Sequence, residues 1–388
     1  MSKPTVVFIA GERQHAGKTV ASLGIISALC KHIDPADIGY FKPVGQELIE
    51  LSNGERIDKD VLVVKEFTDL DMQERSILSP VLLGAGVTKE YVLSNNPKER
   101  TATFERSVFE TMEHLSDKRV IIAEGTGHPG VGSVVGMSNA HVSKLLNAKI
   151  LYLVGGGIGR TVDELEVDLS YFAHHHCHVA GVLFNKLLPK KVEMMKEVLQ
   201  QPVLDRMFPE WDPSLNIFGY MPKVKYLNNP SMKLIGSSFK NCRMVGGLDE
   251  NAWHQACRKV IVVSQGLEAF CPEEHLKPRD IAVIGAGSHR RLKRIVNFNS
   301  KMPGEKLGGI ILTCATEKMP DANILEWLSQ SSIPCILVQQ DTADTDKIIY
   351  KCFSNTKLQL YDKKKHARII KLFEENFDTE RFIRTYNL

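Results

Sequence analysis

Residues 6–22 read Val6-Val7-Phe8-Ile9-Ala10-Gly11-Glu12-Arg13-Gln14-His15-Ala16-Gly17-Lys18-Thr19-Val20-Ala21-Ser22. An apolar run leads into a loop that opens and closes on glycine, and apolar positions then recur at helical spacing as far as Lys31. That is the pattern of strand, loop and helix. Such a loop lets backbone N–H groups turn inward on an anion, and the helix N-terminus adds partial positive charge. In this arrangement Lys18 reaches the β- and γ-phosphates of a nucleotide and the Thr19 hydroxyl joins a magnesium shell. The first glycine stands one residue earlier than the common phosphate-loop spacing, because Glu12 occupies its usual place. A glycine-capped helix start with an incidental lysine is the competing reading.

Working outward, buried-strand patterns at 38–41, 120–123, 150–154 and 179–184 alternate with helical stretches around 104–115, 138–146 and 161–172. Short apolar strands alternating with helices predict an α/β fold with a mostly parallel sheet covered on both faces. A Pro- and Asn-rich segment at 220–230 marks an exit from this domain. A second alternation follows, with strands at 259–263, 281–284, 307–312 and 335–338 and helices near 252–258, 290–296 and 322–328. The expected division is a P-loop domain over 1–225 and a smaller α/β domain over 226–388, with a closing helix at 362–377 packed on the second.

Composition narrows the partners. The 388 residues are 43% hydrophobic and 24% charged with a formal net charge of +3, which implies no general affinity for nucleic acid or an anionic membrane. No apolar run reaches the roughly 18–20 residues of a membrane span, and the run at 6–10 is too short for a signal-peptide core. Eight cysteines without a CxxC pair fit reduced thiols in a cytoplasmic protein. The run Lys363-Lys364-Lys365-His366 reads as a solvated helix face.

Magnesium takes oxygen ligands and keeps several waters, so one or two carboxylates beyond Thr19 suffice. Glu124 follows the apolar run Val120-Ile121-Ile122-Ala123, at a strand tip where ligands gather in open α/β sheets. An ordinary exposed loop carboxylate is the alternative. Asp60 begins a helical stretch, as a ligand or as a charge favourable to the helix dipole. Lys42 precedes Pro43 at a strand end, where it pairs with a γ-phosphate or an anionic substrate, or else is an ordinary exposed lysine.

Together these residues resemble the dethiobiotin synthetase family, whose strand leads into a long-form loop ending in Gly-Lys-Thr. Matching positions follow in order: Gly39-Tyr40-Phe41-Lys42-Pro43-Val44, the Asp60 helix start, Glu124-Gly125, Asn185 and Gly219-Tyr220-Met221-Pro222. The resemblance implies ATP held by Gly11, His15, Ala16, Gly17, Lys18, Thr19 and Val20, with Asn185 reading the purine base and Pro222 nearby. It implies Mg2+ at Thr19, Asp60 and Glu124, and Lys18 and Lys42 in the reaction centre. Phrases such as Ser138-Asn139-Ala140-His141-Val142-Ser143 and Gly155-Gly156-Gly157-Ile158-Gly159-Arg160 are closer still to the N-terminal part of long phosphate acetyltransferases and to stand-alone proteins joining this domain to a DRTGG-type domain. The second domain resembles a diverged DRTGG domain, although the motif Asp-Arg-Thr-Gly-Gly is absent from the sequence.

No acetyl-transferring region and no glutaminase-like segment is recognised in these residues, and His128-Pro129-Gly130-Val131 replaces the glycine-rich continuation of dethiobiotin synthetases. The expectation is a Mg-ATP-binding regulatory or sensory protein with slow or ligand-coupled hydrolysis. The alternative is an ATP-dependent carboxylase, ligase or kinase acting on a small metabolite. Relatives imply a homodimer, and the regulatory reading implies a protein partner. Two weaker signals remain: His174-His175-His176-Cys177-His178, a metal site or a polar helix terminus, and Gly285-Ala286-Gly287, a turn able to bind an anion.

Overall fold

The structure is a computed structural model that describes residues 3–72, 77–211, 215–263, 270–315 and 320–388. It divides into two compact units, one formed by 1–223 with 363–388 and the other by 224–362.

The first unit is built on six strands: β1 (Thr5–Gly11), β2 (Ile38–Phe41), β3 (Val120–Glu124), β4 (Lys149–Val154), β5 (His178–Leu187) and β6 (Asn216–Pro222). Their order in the sheet is β6-β5-β4-β1-β3-β2, and every pairing is parallel. Residues Val7 to Ala10, Val120 to Ala123 and Ile150 to Val154 are almost wholly buried, as a sheet covered by helices on both faces requires. The chain leaves β1 for one side of the sheet, through β2 and β3, and returns to the other side at β4. The strand order thus reverses about β1, and the crevice at its carboxyl end is where such sheets take ligands.

The second unit carries β7 (Cys242–Val245), β8 (Val260–Val262), β9 (Ile281–Gly285), β10 (Gly309–Thr313) and β11 (Cys335–Val338) in the order β7-β11-β10-β9-β8. Only β7 runs antiparallel. Ala282 and Ile284 face one core with Leu292 and Ile295, while Ile281 and Val283 face another with Met232 and Ile235. The sequence reading missed β7, whose Arg243 and Met244 are exposed, and β6, whose run is broken by Gly219.

The closing helix is a correction. Helix Lys363–Asn376 was expected on the second unit, but it belongs to the first, lying against helix α1 (Lys18–Leu29). Phe373 fills the notch left by Gly24, where a Cβ would stand 2.2 Å from the ring, and Lys31 Nζ meets Glu374 Oε1 at 2.6 Å. The basic run at its start is corrected as well. Lys363 and Lys364 are exposed, yet Lys365 is buried and His366 stacks on Phe67 at 4.8 Å.

Candidate functional site

The carboxyl ends of the six strands bring the sequence-identified residues to one rim. Gly11 closes β1, Lys42 follows β2, Glu124 closes β3, Asn185 lies in β5 and Pro222 closes β6 beside Leu187. Between β1 and α1 the loop turns through His15, at φ 63°, and Gly17, at φ 100°. Glycine is required at 17: the backbone is left-handed, and a Cβ would stand 2.7 Å from Asn185 Nδ2. Ala16 is buried under the loop, while Val20 lies half-buried in the first turn of α1. Lys18 is buried and donates to Arg13 O at 3.1 Å and Gly127 O at 3.0 Å, so its ammonium lies across the mouth of the loop.

Glu124 is an almost completely buried carboxylate, not an exposed loop acid. Its Oε1 accepts from Thr19 Oγ1 at 2.8 Å; its Oε2 accepts from Ser22 Oγ at 2.8 Å and Tyr40 OH at 2.9 Å. Burial and the repulsion of Asp60 raise its pKa, against the pull of Lys42 and the hydroxyls of Thr19 and Ser22. Asp60 sits in the first turn of helix α2 (Lys59–Phe67), whose N-cap is Asp58, accepting from Asp60 N at 2.9 Å. Lys42 is buried too. Its Nζ bonds Asp60 Oδ2 and lies 3.3 Å from Asp58 Oδ1 and 3.7 Å from Glu124 Oε1. Burial opposes its charge, but Asp60, Glu124 and Asp58 outweigh it and lift its pKa well above the ordinary lysine value. Burial likewise opposes ionisation of Asp60, and Lys42 with the Thr19 hydroxyl overcomes it, leaving that pKa low.

Three carboxylates therefore share one ammonium beside the Thr19 hydroxyl. Fully ionised, the group keeps a surplus of negative charge in a buried place, which a hard divalent cation neutralises, and its donors are all oxygens. Thr19, Asp60 and Glu124 would fit Mg2+ on these grounds. Among the described residues, no cluster of three or more His, Cys, Asp or Glu side chains is arranged to hold a metal ion by itself.

The sequence reading passed over Asp58, Ser22, Tyr40 and Lys186. Ser22 and Tyr40 carried a signal, since one is a turn beyond Lys18 and the other two residues before Lys42; Asp58 showed only as the acid two residues before Asp60. Val44, two residues beyond Lys42, accepts at its carbonyl from the hydroxyl of Thr126, in the loop that follows Glu124. Asn139 fixes that loop by accepting from Thr126 N at 2.9 Å and donating to Thr126 O and His128 O at 2.7 Å each. Asn185 donates from Nδ2 to Ala16 O at 2.8 Å, so its amide grips the phosphate loop. The histidine run does not gather on one point. His175 tilts against Tyr171, Cys177 donates to Ala140 O at 3.1 Å, and His178 starts β5 exposed.

The chain is 22% identical over 395 residues to a phosphate acetyltransferase of Synechocystis sp., covering 97% of this chain and 51% of that protein. Over 231 residues it is 25% identical to a cobyrinate a,c-diamide synthase of Caldanaerobacter subterraneus, covering 59% and 41%. The chain thus spans about half the length of the curated relatives it matches. Of solved structures, the MinD cell division protein of Aquifex aeolicus overlaps 58% of this chain and 84% of its own at 14% identity, with a TM-score of 0.34. Residues 5–231, more than half of the chain, match the model of the AAA domain family AAA_26, and the chain belongs to that P-loop family, which includes dethiobiotin synthetase-like proteins.

Proposed function

We propose that this protein binds Mg-ATP in the β1–α1 loop and uses it as a regulatory signal, with slow or ligand-coupled hydrolysis. The observation that carries the proposal is the junction of the Thr19 hydroxyl, the buried Glu124 and the Lys42 ammonium among Asp58, Asp60 and Glu124. In this reading Lys18 swings from the carbonyls of Arg13 and Gly127 to the β- and γ-phosphates, where it joins the loop amides as a phosphate donor. Thr19, Asp60 and Glu124 hold the magnesium, which screens the phosphate charge. Lys42 faces the γ-phosphate end, Asn185 reads the base, and Pro222 lies beside it.

The regulatory half of the reading draws on the pairing of a P-loop unit with a second α/β unit, and on Lys42, whose charge is already committed to three carboxylates. A second reading, an ATP-dependent ligase or kinase for a small metabolite, has its own support in the cobyrinate a,c-diamide synthase relative and in the loop from Thr126 to Val131 beside the site. Both readings include a homodimer, and the regulatory one a protein partner.

Calorimetry with Mg-ATP tests the common part: Lys18→Ala is expected to abolish binding, and unchanged affinity would refute the nucleotide site. ATP turnover separates the two readings. A rate stimulated by one member of a metabolite panel into the range of about 1–10³ per second overturns the regulatory one.

A further inference from the structure

Asn185 and Lys186 are consecutive residues of β5, and they hold consecutive carbonyls of the phosphate loop. Asn185 Nδ2 donates to Ala16 O at 2.8 Å and Lys186 Nζ donates to His15 O at 2.7 Å. Both side chains also press on Gly17, where a Cβ would stand 2.7 Å from Asn185 Nδ2 and 3.4 Å from Lys186 Cε. Lys186 and His15, the two ends of the second bond, each adopt a left-handed backbone, at φ 55° and 63°. Residues other than glycine keep that conformation where their surroundings hold it in place. By holding the Ala16 and His15 carbonyls toward β5, this brace favours loop amides that face the other way, which is the orientation a phosphate needs.

The surroundings of Lys186 do not match its charge. Arg13 in the loop and Lys223 just after β6 repel it, and Glu12 in the loop is the carboxylate that attracts it. Burial first, and these cations next, bring its pKa down to about 8. An ordinary lysine titrates near 10.4, so Lys186 is close to losing its proton at physiological pH.

We propose that Lys186 is a positioning residue of the phosphate loop, holding the His15 carbonyl so that the loop amides face the phosphates, and that a nucleoside triphosphate entering the loop draws a proton onto Lys186. The proposal rests on the nucleotide reading above and deepens it. The physical basis is charge: the triphosphate brings several negative charges among Arg13, Lys18, Lys186 and Lys223, which restores the advantage of the protonated amine. The protonated amine in turn strengthens the bond to His15 O.

The test is calorimetry of Mg-ATP binding at pH 8 in buffers of different ionisation enthalpy, which counts protons taken up. The wild-type protein is expected to take up a fraction of one proton. Lys186→Met is expected to weaken binding by about tenfold or more, the loss of one charge-assisted hydrogen bond, and to take up none. Lys186→Arg, always charged, is expected to recover most of the affinity while still taking up none. A merely structural lysine would show the affinity loss without the change in proton count. Wild-type uptake that persists in both variants overturns the proposal, as does Lys186→Met binding with wild-type affinity. If Lys186→Met does not fold, Lys186→Arg alone decides it through the proton count. Absence of Mg-ATP binding by the wild-type protein is a different failure, which sinks the nucleotide reading and this proposal with it.

Discussion

Buried ionisable residues set the behaviour of this protein one by one, according to which partner each finds. Lys42 keeps its charge because three carboxylates surround it; Lys186 is close to losing its own because burial first, and two neighbouring cations next, disfavour it. Asp168 is a third case, outside the site. It lies on helix α3 (Ile158–His174), accepts a hydrogen bond from the buried Tyr152 hydroxyl, and is held by burial at a pKa of about 6, the Tyr152 bond opposing the rise. An unfolded Asp titrates near 3.9, so between about pH 4 and 6 the native state binds more proton than the unfolded chain. This residue therefore costs stability progressively as pH rises through that window, and the cost is constant above it. Asp168→Asn carries no such cost. Its melting temperature relative to wild type is expected to climb from pH 4 to 6.5 and then level off; a difference independent of pH would disprove the assignment.

At the scale of elements, α1 does two jobs that its sequence states unequally. Its first two turns carry Lys18, Thr19 and Ser22 to the site, and Lys18 and Thr19 were legible from the spacing of glycine, lysine and threonine after an apolar strand. Its middle carries Gly24, which reads as a weak point in a helix and is in fact a seat for Phe373. Gly24→Ala gains helix propensity yet drives a Cβ into the ring, so a net destabilisation of about 1–3 kcal/mol is expected from overpacking. Chemical denaturation measures it. An increase in stability would mean that the Lys363–Asn376 helix is not seated as described. The edge strand β6 gives a similar lesson. Asp378 N donates to Phe218 O at 2.8 Å and Arg381 Nη1 to Ile217 O at 3.2 Å, so the chain's last segment covers an edge that would otherwise invite pairing.

For the molecule as a whole, unit 224–362 lies in sequence between β6 and the helices that complete the first unit. Phe218 of β6 meets Phe382 at 5.3 Å and Tyr386 at 5.8 Å, and all three side chains are fully buried. Residues 1–223 produced alone would expose this aromatic core and the Gly24 seat. They are expected to unfold without a cooperative transition, and co-expression with 363–388 is expected to restore one; a cooperative melt of 1–223 alone would show that the first unit needs no closing helices. The sequence by itself determined the α/β class and the loop between β1 and α1, because each rests on a local pattern of apolar period and glycine; it singled out Lys42, Asp60 and Glu124 at strand and helix ends, and Asn185 through the family resemblance. Only the tertiary structure decided that Asp58 shares Lys42, that Ser22 and Tyr40 hold Glu124, that Lys186 grips the loop and that the last helix returns to the first unit. Those outcomes depend on contacts between residues far apart in the chain, and burial sets their charge states, neither of which a local pattern encodes.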